Sequence, residues 1–179
     1  MSAGILFIPL FILLSLAVVP FDWMFVGILG CIAVAMVVGY LDDRAPGGWS
    51  EYRLGAIDLL VAIAASVFIC QMQPFTVWLP LFKDPITISP ALFIPGATVL
   101  IWVSINATNC TDGVDGLSAS LSGMGILFLG AILYGIVGHE DISAYLLVPH
   151  YIQGADWAIM AFVMVGCLTG YLWHNSYPS

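Results

Sequence analysis

Six apolar runs, most of them near the roughly 20 residues that a helix needs to cross a hydrocarbon core, constrain this chain more than any single motif does. They cover about Gly4–Pro20, Met24–Leu41, Leu54–Met72, Leu92–Ser104, Leu117–Val137 and Trp157–Trp173, and Asp58 is the single charged residue inside them. A helix that is apolar all round has to be buried or to face lipid. The pattern therefore predicts an all-α, polytopic membrane protein with about six transmembrane helices, residues 1–179 forming a single transmembrane domain.

Composition rules out the soluble alternative. Hydrophobic residues make up 61% of the chain and charged residues 8%, with a mean hydropathy of +1.06, whereas soluble domains are about 45–50% apolar and about 25% charged. A soluble fold would need polar helix faces, and these runs have none. The net charge of −8 excludes nucleic acid as a partner, because phosphate backbones are met by clusters of Lys and Arg. Cys31, Cys70, Cys110 and Cys167 show no metal-ligand spacing and imply no disulfide framework. Residues 1–20 lack a charged leading region and a clear cleavage site, so they read as a span and not a signal peptide.

Counting spans sorts the polar segments by side. The loop 42–53 and the segment 105–116 are separated by two spans and share one face, and two further spans return the chain to that face at His174–Ser179. The loops 73–91 and 138–156 fall on the other. Pro74, Pro80, Pro85 and Pro90 make 73–91 irregular, with room for a short hairpin. Gly166 and Gly170 have the small-xxx-small spacing that suits close helix contact. Arg44 and Arg53 lie on the motif side and Lys83 opposite, which by the positive-inside rule puts the motif face in the cytoplasm.

That face carries the chemistry. Asp42 and Asp43 are adjacent at the end of a span, and Asp112 and Asp115 are three residues apart, flanked by Gly113 and Gly116. Four carboxylates at one bilayer surface repel one another unless a cation lies among them. Oxygen-only ligands of this kind suit Mg²⁺ or Mn²⁺, which are held by carboxylates together with water and substrate phosphate. Each piece has a bland alternative: a solvated helix end for Asp42 and Asp43, a turn for Asp112–Gly116. The residues alone leave two classes open. One is an enzyme joining a soluble, phosphate-bearing substrate to a lipid, and the other is a cation transporter. Transporters place their ionisable groups near the midplane on broken helices, whereas these acids sit at span ends.

The segment Asn106–Leu117, NATNCTDGVDGL, closely resembles the NAxNLTDGLDGL motif of the polyprenyl-phosphate N-acetylhexosamine-1-phosphate transferases. GYLDD at 39–43 is similar to the first aspartate motif of that superfamily, and GYLWHNSYPS at 170–179 resembles its GFLWFNTYPA segment. With LPLFKD at 79–84 and YLLVPH at 145–150, the chain looks most like the phospho-N-acetylmuramoyl-pentapeptide transferase branch rather than the GlcNAc-1-phosphate branch, which stays as the alternative. The resemblance implies transfer of phospho-MurNAc-pentapeptide from its UDP carrier (UDP-MurNAc-pentapeptide) to undecaprenyl phosphate. That reaction forms lipid I and releases UMP, with Mg²⁺ as cofactor, at a bacterial inner membrane with the site facing the cytoplasm. It implies a part in peptidoglycan synthesis, and hence in cell shape and division, and allows a homodimer. Carried over by motif, Asp42, Asp43 and Asp112 would be the catalytic and metal-holding acids, and Asn109, Asp115 and Asn175 would bind the nucleotide sugar.

Three departures follow from the same comparison. The lysine of the superfamily's DDxxK pattern falls at Pro46, so that Arg44 or Arg53 would have to replace its charge, and His174 stands where a Phe is usual. The resemblance stops short of a third aspartate motif, FMGD, and opens inside the expected second span. It therefore implies a central fragment of a ten-span enzyme, inactive alone.

Overall fold

The computed structural model describes residues 4–72, 75–77, 85–111 and 116–175. It is built of helices, α1 (Gly4–Val18), α2 (Trp23–Arg44), α3 (Glu51–Cys70), α4 (Pro90–Thr111), α5 (Leu117–Ile132), α6 (Glu140–Tyr145) and α7 (Gly154–Asn175). A two-stranded antiparallel hairpin, β1 (Phe75–Val77) with β2 (Ile86–Ile88), lies between α3 and α4, and pairs Thr76 with Thr87. A π-helical turn, Leu133–Val137, continues α5.

Among the described residues, five helices are long and apolar enough to span a membrane: Trp23–Arg44, Glu51–Cys70, Pro90–Thr111, Leu117–Val137 and Gly154–His174. At 1.5 Å per residue, a helix of 22 residues is about 33 Å long. The sixth run forms a helix of 15 residues, about 22 Å. It stops at Val18 because Pro20 disfavours helical backbone at the residue before it. The apolar side chains stay outside: Leu60, Leu92, Leu100 and Phe128 are each at least 66% exposed. Such a surface fits lipid and not water.

The chain packs as two compact units. The first is built from Asp22–Cys110 together with the start of α1. Asp22 caps α2 through its carboxylate, which accepts the Met24 N–H at 3.3 Å. Met24, Phe25 and Leu29 bury one side of α2, which packs against α3. Two polar contacts tie α3 to α4: Thr98 Oγ1 donates to Ser66 Oγ at 3.1 Å, and the Trp102 indole N–H donates to the Gly55 carbonyl at 2.8 Å. Late α3 thus meets early α4 and early α3 meets later α4, which makes the two antiparallel. Ser66 in turn donates to Ala62 O at 2.7 Å, so the pair sits inside the span without an unsatisfied donor.

The second unit combines Leu6–Phe21 with the chain from Thr111 onward. There α5 packs along α7. The close approach is made at Gly130, where a Cβ would stand 3.0 Å from Ala161 Cβ and 3.1 Å from Phe162 Cε1. This corrects the expectation for Gly166 and Gly170: among the described residues a Cβ at either would meet nothing within 4 Å. The small-residue spacing exists on both helices, and the face of α7 turned to α5 carries Ala161 and Leu168 instead. The Phe7 ring of α1 stacks on Tyr171 of α7 with centroids 5.5 Å apart. Residues 138–156, expected as loop, include α6, and the Tyr151 N–H donates to Val137 O at 2.9 Å.

Candidate active site

Asp42 and Asp43 lie in the last turn of α2. Carboxylates there face the negative end of the helix dipole, a placement that costs about 0.3–1 kcal/mol each at an exposed site. The helix dipole alone therefore gives no reason for two of them. Arg44 follows, its guanidinium 5.0 Å from the Tyr40 ring centroid one turn back.

The chain then turns sharply. The Ala45 N–H donates to Leu41 O and Asp42 O, the Gly48 N–H donates to Ala45 O at 3.0 Å, and Gly47 and Gly48 take φ of +84° and +70°. Left-handed backbone at two successive residues is what glycine allows and other residues resist. The turn brings Trp49 back to the helix end, where its N–H donates to Asp42 Oδ1 at 2.6 Å. Asp42 is half-buried with one oxygen held in this way, while Asp43 is exposed. Ser50 then opens α3, its carbonyl accepting from the Arg53 and Leu54 N–H groups. The Arg53 guanidinium lies over the Trp49 ring, 3.8 Å from its centroid.

Asn109 reaches the same end of the first unit. Because α4 runs antiparallel to α3, its C-terminal turns return to the end where α2 stops and α3 begins. The sequence placed the end of this span a little beyond Ser104, before Asn106, but the helix continues to Thr111. The polar side chains bond back into their own helix: Ser104 to Leu100 O at 2.7 Å, Asn106 to Trp102 O at 2.8 Å, and Thr108 to Ser104 O at 2.8 Å. That satisfies them without leaving helical backbone. Asn109, three residues after Asn106, is exposed.

The remaining expected residues are only partly visible. Asp112 and Asp115 lie outside the described residues, and Asn175 ends α7 with its side chain outside them as well. The expected convergence of four acids therefore also falls outside the described part. Among the described residues, no three His, Cys, Asp or Glu side chains group as metal ligands. The donor set of Asp42 and Asp43 is chemically right for a hard cation, being carboxylate oxygens only. Sequence reasoning did not find Trp49. The signal for it was the Gly47-Gly48 pair, which marks a turn tight enough to fold the next residue back onto the helix end.

Residues 25–179 match the family described as Glycosyl transferase family 4. A phospho-N-acetylmuramoyl-pentapeptide-transferase of Treponema pallidum (strain Nichols) is 44% identical over 99% of this chain and 50% of its own length. The proteins of that name from Geobacter sp. (strain M21) and Campylobacter jejuni subsp. jejuni are 33% and 30% identical, over 80% and 98% of this chain and 42% and 52% of their own lengths. The chain spans about half the length of the curated relatives it matches. With a match that runs from α2 to the last residue, this multi-pass, predominantly helical chain belongs to Glycosyl transferase family 4.

Proposed function

We propose that the protein transfers phospho-MurNAc-pentapeptide from its UDP carrier to undecaprenyl phosphate, yielding lipid I and UMP, with the site on the cytoplasmic face of a bacterial inner membrane. The observation that carries this reading is the acidic pair at the end of α2, held by the Trp49 amide, in a chain whose NATNCTDGVDGL segment and relatives belong to this chemistry. An acceptor phosphate oxygen attacks the phosphorus bonded to the sugar, and the bond from that phosphorus to UMP breaks, UMP leaving with the electron pair. Mg²⁺, held by Asp42, Asp43 and Asp112, would supply charge neutralisation between two anionic reactants. Asn109, Asp115 and Asn175 would orient the nucleotide sugar by hydrogen bonds. The apolar helix surfaces keep the polyprenyl tail in lipid while its phosphate meets the loop residues.

The cation-transporter alternative is weaker, because Asp42 and Asp43 occupy the final turn of α2 and not the middle of a span. The reading is tested by UMP release from UDP-MurNAc-pentapeptide in membranes carrying the full-length protein rather than this 179-residue chain alone, with undecaprenyl phosphate and Mg²⁺ added. Asp112→Asn should cut turnover by about 100-fold or more, since the constellation acts as a unit, whereas Asp141→Asn in the opposite loop should change it little. Equal losses from the two substitutions would assign Asp112 a structural role and sink the proposal.

A further inference from the structure

Trp49 makes two contacts that no motif assigns. Its backbone N–H is bonded to Asp42 Oδ1 at 2.6 Å, and its indole carries the Arg53 guanidinium at 3.8 Å. One residue thus touches an acid of the site through its main chain and a base through its ring. The chain has three basic residues, Arg44, Arg53 and Lys83, so each cation on the acidic face matters to an anionic substrate.

The two contacts have different physical consequences. An N–H on one carboxylate oxygen fixes the carboxylate's rotamer and leaves the second oxygen for a cation. Partners of this kind, one step removed from a metal, are worth about 10–100-fold in affinity or activity. A guanidinium stacked flat on an aromatic ring spends its face on the ring and keeps its edge N–H groups for phosphate oxygens. Gly48 makes the first contact possible through its left-handed backbone, φ +70°, which other residues resist; space is not the reason, since a Cβ there would sit in ordinary contact, 3.6 Å from Asp42 Oδ1.

We propose that Trp49 is a positioning residue for phosphoryl transfer, its amide setting Asp42 and its indole setting Arg53 toward the diphosphate of the donor. This rests on the phosphoryl-transfer reading of the acidic site. Two arms test it in the whole protein. In the first, hydrogen exchange resolved at the residue 49 amide should speed up by about 10-fold or more in Asp42→Ala, as expected when a bonded N–H is released to water. Unchanged exchange would overturn the backbone half of the proposal. In the second, Trp49→Ala and Arg53→Gln should each raise the KM of the UDP-linked donor by about 10-fold. The double variant should be no worse than either, and Trp49→Phe, which keeps an aromatic face, should restore a KM within about threefold of the starting protein. Additive effects, or no rescue by Phe, would overturn the ring half. Failure of the function reading looks different: the unaltered full-length protein would release no UMP at all, and the proposed role would fall with it.

Discussion

A leucine at Gly130 and a leucine at Gly166 should have opposite consequences, although both glycines lie in apolar helices of the same unit. At Gly130 the Cβ alone would stand 3.0 Å from Ala161 Cβ and 3.1 Å from Phe162 Cε1. Carbon pairs prefer about 3.5–4.0 Å, so α5 and α7 would have to part by about half an ångström before the rest of the side chain is placed. Three further carbons in the same gap bring the cost of overpacking to about 1–3 kcal/mol. At Gly166 nothing lies within 4 Å of a Cβ among the described residues, so the side chain enters open space away from α5. The gain in helix propensity on leaving glycine, about 0.5–1 kcal/mol, is common to both and cancels in the comparison. Thermal unfolding in detergent, followed by loss of the monodisperse peak, should show Gly130→Leu lower than Gly166→Leu by roughly 2–12 °C at about 2–4 °C per kcal/mol. Equal melting temperatures, or a larger loss at Gly166, would refute the assignment of the α5–α7 contact.

Two further predictions test the span arrangement. With Cys110 replaced by Ser, cysteines at Ser50 and Asp141, both exposed positions, should react with an impermeant thiol reagent from opposite sides of the membrane, Ser50 from the cytoplasm. Labelling of both from one side would break the topology on which the shared acidic face depends. Trp102→Phe removes the indole donor to Gly55 O and should destabilise the protein by about 0.6 kcal/mol, with about 1.7 as the upper range for such bonds in membranes. A denaturant titration that shows no loss would mean that packing alone joins α3 to α4.

What the sequence determined by itself was the fold class and the place of Asp42 and Asp43 at the end of a long apolar helix. Transfer of an apolar run into lipid is favourable residue by residue, so six runs could be read as spans without knowing a single contact. Among the described residues, five of them form helices long and apolar enough to cross a membrane. Asp42 and Asp43 were legible for the same reason, as charges at the end of an apolar run. Helix ends were less so: Ser104, Asn106 and Thr108 looked like the start of a loop, and only their bonds to carbonyls four residues back show why α4 reaches Thr111. The tertiary structure alone decided which glycines make contact. Spacing singles out Gly166 and Gly170 on α7 and passes over Gly130, which has Ile126 and Tyr134 four residues to either side, yet Gly130 is the one that meets the neighbouring helix. The link from Trp49 to Asp42 belongs with these, since a hydrogen bond across seven residues depends on two left-handed glycines closing the turn between them.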